Sequence, residues 1–117
     1  VIVNSTMYFG TAYSFFAMEL KPPFTWVTLL DSNLYHYYGC VVTNNERTKL
    51  YITSTFYNRR TVTIWNLAFG IWTTFQSQLQ YDHINGVSVM TSNNVLYLIK
   101  GDSNDAANYT EYVNVDD

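Results

Sequence analysis

Two histidines stand at matched places in this chain. His36 and His83 lie 47 residues apart, and each comes three residues before a glycine, Gly39 or Gly86. Imidazole suits both metal ligation and acid–base work near neutral pH. Two such rings facing one axis would serve as ligands or bases. Equivalent positions on neighbouring repeats, however, lie about a repeat apart, too far for one metal's first shell at about 2.0–2.1 Å. The competing reading is structural: the repeat wants a hydrogen-bonding ring at a strand entry. The sequence favours that second reading and assigns no metal ligands.

The other reactive side chains form no catalytic set. Cys40 is the single cysteine, so an internal disulfide and a cysteine-based zinc site are both excluded. It follows Gly39 in an expected strand whose counterpart carries Val87, which reads as a core position. A cysteine there is expected to act as a small buried hydrophobe. Asp116-Asp117 and Asp102 do not make a carboxylate pair. Asp102-Ser-Asn-Asp105 lacks the glycine and the late glutamate of an EF-hand loop. No glycine-rich phosphate loop and no Gly-x-Ser-x-Gly elbow is present. No catalytic residue and no cofactor is therefore assigned, and binding is favoured over catalysis.

The elements that would carry these residues repeat. Trp26 and Trp72 are 46 apart, as are Tyr51 and Tyr97, and Gly39 and Gly86 are 47 apart. Met7-Tyr8-Phe9, Leu50-Tyr51-Ile52 and Leu96-Tyr97-Leu98 are equivalent triplets. A third series runs Ala17 to Leu20, Ile64 to Leu67 and Tyr112 to Val115. Such repeats define the whole architecture. Fourteen Thr and eleven Tyr favour strands, and twelve Asn favour turns. Each unit reads as four short strands: one led by the glycine, one bearing the Tyr triplet, one ending in an aliphatic residue, and one beginning at the Trp. Arg60 to Leu67 alternates as a third strand should. Pro22-Pro23 forbids a helix or central strand and fits the third-to-fourth link. Trp26 and Trp72 are expected to pack between units. Trp65 is open to two readings, a core ring or a surface platform.

Units of four strands repeating every 40–50 residues or so are the mark of propeller blades. The order of glycine-led strand, Leu-Tyr strand, aliphatic-ended strand and Trp resembles the kelch repeat. It is also similar to the kelch-type propeller of secreted, often fungal, galactose-oxidase-like proteins. The expected fold is all-β: blades of four antiparallel strands in one domain over 1–117, with units near 1–38, 39–85 and 86–117. Two to two and a half blades are expected here. Where kelch repeats carry paired glycines, this chain has Gly10-Thr11, Thr53-Ser54 and Lys100-Gly101.

The resemblance implies that the loop before the first strand and the loop between the second and third share one face, where partners bind. Here those loops hold Tyr35, His36, Tyr37, Arg59, Arg60, Tyr81, Asp82 and His83. Tyr and Arg anchor interfaces, and Tyr and His faces can stack on sugar rings. A protein or a glycan is the expected ligand; for any single residue, the plain alternative is a solvated loop side chain. Galactose-oxidase-like enzymes use copper with Tyr and His ligands and a Tyr–Cys crosslink, which makes an oxidase propeller the second reading. A self-assembling structural β protein is the third.

A net charge of −3 and six thinly spread Lys and Arg leave no basic stripe for nucleic acid. No apolar run reaches the roughly 18–20 residues of a membrane span. Asn4 and Asn108 head N-x-S/T sequons, which a secretory route would expose to glycosylation. Sparse charge with abundant Asn, Thr and Tyr suits a secreted or cell-surface protein. No signal peptide is expected at Val1. Both termini fall inside repeats, so the remaining blades are expected from a longer chain or from homo-oligomerisation.

Overall fold

The computed structural model describes residues 1–10, 14–31, 39–53, 60–75, 79–83, 85–101 and 109–115, without the side chains of Leu30 and Asp31. The described chain is all-β. Eleven strands form three antiparallel sheets. The first holds β1 (Ile2–Val3), β2 (Thr6–Gly10), β3 (Ser14–Glu19) and β4 (Trp26–Asp31). The second holds β5 (Cys40–Thr43), β6 (Lys49–Thr53), β7 (Thr63–Asn66) and β8 (Ile71–Thr74). The third holds β9 (Val87–Met90), β10 (Val95–Ile99) and β11 (Thr110–Asn114). In every sheet, strands adjacent in sequence pair with one another. Among the described residues no helix is long and apolar enough to cross a membrane.

One register serves all three sheets. Met7 pairs with Met18, Leu50 with Trp65 and Leu96 with Val113. Tyr8 likewise opposes Ala17, Tyr51 opposes Ile64, and Tyr97 opposes Tyr112. The repeating triplet therefore occupies the same place in each second strand. Local turn chemistry fixes this register. Asn4 and Ser5 both adopt left-handed φ, 49° and 64°, in the two-residue turn joining β1 to β2, and such turns match the strand twist. Arg47 and Asn94 hold equivalent left-handed positions in the β5–β6 and β9–β10 turns. Pro22-Pro23 lies in the β3–β4 connection.

The sheets stack face to face. Successive side chains of a strand point to opposite faces, so the Leu-Tyr-Ile triplet of β6 is apolar in both directions. Leu50 and Ile52 pack with Val3 and Phe15 of the first sheet, joined by Trp65 and Trp72. Tyr51 points the other way, into a core with Val62, Leu96 and Leu98. Fully burying one such side chain contributes about 1.5–3 kcal/mol. The Phe15 and Trp72 rings meet edge to face with centroids 5.7 Å apart, across the boundary between sheets. The Trp72 indole N–H donates to the Leu29 carbonyl at 3.3 Å. Burial against the second sheet pushes the Tyr8 hydroxyl pKa up.

Two expectations about the core need correction. Trp26 was expected between units, yet it is 63% exposed while Trp72 is half-buried. Val87 was expected in the core, yet it is 56% exposed. The cause is the same for both: each lies on an outermost face of the stack, with no further sheet against it among the described residues. Trp65 takes the core reading, half-buried with its ring centroid 4.6 Å from that of Trp72.

The turns of the second and third sheets interlock through amides. The Asn45 backbone N–H and side-chain Nδ2 both donate to Asn94 Oδ1 at 2.9 Å. Asn94 Nδ2 in turn donates to both Glu46 carboxylate oxygens, at 3.0 and 2.8 Å. Asn44 Oδ1 accepts from the N–H groups of Thr48 and Lys49, closing its own turn.

The Asn94 amide beside Glu46 holds that carboxyl below its ordinary value. A depressed folded pKa contributes stability above the unfolded pKa and loses it as pH falls through the folded value. In an NMR titration, Asn94→Ala should move the Glu46 midpoint up toward the ordinary carboxylate value; an unchanged midpoint would contradict the clasp. Leu96→Ala should lower stability by about 2–5 kcal/mol in urea unfolding, whereas exposed Ile71→Ala on β8 should cost under about 1 kcal/mol.

Candidate functional site

An up-and-down sheet has two ends. The turns near Asn4, Asn45 and Asn93 lie at one end; Gly39, Thr53, Arg60, Leu79 to His83 and Lys100 lie at the other. The sequence-predicted binding residues that are described gather at the second end. Tyr35, His36, Tyr37, Arg59 and Asn108 lie outside the described residues.

His83 is fully buried. Its Nδ1 lies 2.5 Å from the Lys100 carbonyl oxygen, and its Nε2 lies 2.7 Å from Glu111 Oε1. Both ring nitrogens thus have oxygen partners, one on the backbone and one on a carboxyl group. The Glu111 carboxylate also accepts the backbone N–H groups of Gln80 and Tyr81, each at 2.9 Å. One carboxylate on β11 thus ties the loop entering β9 to its own sheet. His83 is thus buried and bonded on both sides within the loop that enters β9.

The glycine that follows has a physical reason. Gly86 donates its N–H to the His83 carbonyl at 2.8 Å. A Cβ at residue 86 would lie 2.8–2.9 Å from the carbonyl oxygens of Lys100, His83 and Ile99. Backbone oxygens cannot swing aside, so the tight His-to-Gly turn excludes a side chain.

The other candidates take different roles. Asp82 is buried, so it does not present its side chain to a ligand at the surface. Arg60 is exposed, and its carbonyl accepts the Leu79 N–H at 2.7 Å, which brings the two loops together. Tyr81 is half-buried and stacks on Tyr109 with centroids 4.5 Å apart and planes within 2°. Tyr109 is 50% exposed. Asn4 is exposed at the turn end, away from this aromatic pair.

Tyr109 and Glu111 were not singled out by the sequence. Tyr109 is the middle residue of a sequon whose signal belongs to Asn108. Glu111 has Thr63 and Phe16 at its equivalent positions, so no repeated residue marked it. Cys40 is half-buried in β5 with Sγ 3.9 Å from the Ser88 carbonyl oxygen, in keeping with a packing role. Among the described residues no three His, Cys, Asp or Glu side chains are grouped to hold a metal ion. A groove of about 470 Å³ beside β5 and β9, lined in part by Asn45, Arg47 and Ser88, lies toward the turn end. No protein-family model matches the chain, and no curated protein matches it at a significant level.

Glu111→Ala would leave two backbone donors without their acceptor and the His83 Nε2 without its partner. It should cost at least about 1–3 kcal/mol in thermal or urea unfolding, and the Gln80 and Tyr81 amides should lose hydrogen-exchange protection. Gly86→Ala should destabilise through the backbone clash, and wild-type stability in that variant would contradict the turn geometry.

Proposed function

We propose that this chain is a non-catalytic binding module of a secreted or cell-surface kelch-like propeller, with its ligand at the loop end. The observation that carries the reading is the Tyr81–Tyr109 pair. One tyrosine covers a face of the other while half of Tyr109 remains exposed. A rigid, flat, amphipathic ring loses little entropy when it meets a partner. The loop beneath it is held by the His83–Glu111 bonds, so the platform is arranged before any ligand arrives. Nearby Arg60 adds a charged donor on the same end.

A glycan suits this surface: a sugar ring offers an apolar C–H face to an exposed tyrosine and hydroxyls to the polar rim. The exposed Asn4 sequon at the far end supports a secretory route, because a glycan there leaves the loop end clear. The test is binding of the chain to a panel of immobilised neutral oligosaccharides, followed by titration calorimetry on the best of them. Tyr109→Ala should weaken that binding about tenfold or more, with the fold unchanged by circular dichroism. Unchanged affinity in the variant would contradict the platform. Failure of every oligosaccharide, with capture of a defined protein that Tyr109→Ala abolishes, would keep the site and change the ligand class to protein.

A further inference from the structure

The fold brings together two tyrosines that the sequence keeps apart. Tyr81 and Tyr109 are separated by 28 positions, yet their rings lie parallel within 2° with centroids 4.5 Å apart. Two phenols are thus in face-to-face contact, at the near end of the range for aromatic pairs. The backbone on both sides is fixed. Glu111, two residues after Tyr109, accepts the Tyr81 N–H at 2.9 Å, and the Lys100 N–H donates to the Tyr109 carbonyl at 3.0 Å. The His83 ring stands edge-on to Tyr81, with centroids 6.5 Å apart.

The pair lies inside the stack of sheets, not on an outermost face. Val113 of β11 packs toward the second sheet, and Leu79 joins the same core. Alternation along β11 puts Glu111 and Tyr109 on the Val113 side. The stacked rings therefore cap the boundary between the second and third sheets. They open to solvent through Tyr109, which is 50% exposed. Other described tyrosines are placed differently. Tyr51 is buried in the core, and Tyr97 and Tyr112 meet at 5.7 Å with planes 35° apart on the far side of the third sheet.

We propose that Tyr81 and Tyr109 are a site of oxidative crosslinking, in which the two side chains join as dityrosine. The co-reactant is a haem peroxidase with hydrogen peroxide, supplied from outside the chain. Each phenol gives up one electron and its hydroxyl proton. The two radicals pair through ring carbons ortho to the oxygens, and one C–C bond forms. The two ortho hydrogens then leave as protons while the phenol oxygens regain theirs. The pair loses two hydrogen atoms in all, and one peroxide becomes two waters. Groups already in contact react without waiting for an encounter, which favours this pairing over a tyrosine of another molecule. The new bond fastens the loop entering β9 to β11, the same segments that Glu111 joins by hydrogen bonds. The crosslink shares its tyrosines with the proposed ligand platform but does not rest on that reading, since it forms with no sugar present.

The experiment treats the full chain, at low concentration, with a haem peroxidase and hydrogen peroxide. Free N-acetyltyrosine in a parallel sample checks that the oxidant is active. The monomer is isolated by gel filtration and mapped by peptide mass spectrometry. Wild type should yield a linked peptide pair holding Tyr81 and Tyr109, lighter than the two peptides together by two hydrogen atoms. Tyr81→Phe and Tyr109→Phe keep the ring and lack the phenol, so each should lose that linked pair completely. If one variant fails to fold by near-ultraviolet circular dichroism, the other carries the comparison. An active oxidant that leaves Tyr81 and Tyr109 uncoupled in the wild-type monomer would overturn the proposal. Coupling of either residue chiefly to some other tyrosine would overturn it as well.

Discussion

Every sheet in this chain is apolar on both faces, and that constraint governs the rest. An antiparallel sheet exposed on one side is stable when its outer residues are polar. β6 has no such side: Leu50, Tyr51, Ile52 and Thr53 are all buried. The second sheet is therefore covered on one side by the first and on the other by the third. The long-range polar bonds follow the same logic. Thr53 and Ser88 share a hydroxyl–hydroxyl bond between the second and third sheets, and Cys40 approaches the same serine's carbonyl. Buried hydroxyls need such partners once the apolar stack has taken them out of water.

The two ends of the stack are held by different chemistry. At the turn end, amides interlock neighbouring hairpins, and the carboxylate of Glu46 completes the clasp. At the loop end, one carboxylate collects donors from the incoming loop and from His83. The turn end is short and repeated, so its role is to set register. The loop end departs from the repeat, since Glu111 and Tyr109 have no like residues at equivalent positions. Departure from a structural repeat is where a stacked fold gains individuality, because the shared positions are already committed to packing.

What the sequence made legible follows the same division. The triplets and the recurring tryptophans betray the period because register forces equivalent residues into equivalent places. The all-β class follows from that period and from the abundance of Tyr, Thr and Asn. The placement of Trp26 was not legible: its local sequence resembles that of Trp72, and only the presence of a neighbouring sheet decides whether the ring is covered. The role of His83 was half legible. A ring wanting hydrogen bonds was expected, but its partner lies 28 residues away in a strand whose counterparts carry other residues. The candidate aromatic platform joins residues 28 apart, Tyr81 in a loop and Tyr109 inside a sequon, and no spacing links the two.

Direct packing of one sheet on the next holds the chain together, and the most direct measurement of it is a nuclear Overhauser spectrum of the chain in solution. Phe15 and Trp72 belong to different sheets, and their rings meet edge to face at 5.7 Å between centroids. Cross-peaks between the Phe15 ring protons and the Trp72 indole protons, together with slow exchange of the Trp72 indole proton bonded to Leu29, are the predicted result. Intact strand-to-strand cross-peaks within each sheet, with none between Phe15 and Trp72, would contradict it: the sheets would then form without stacking.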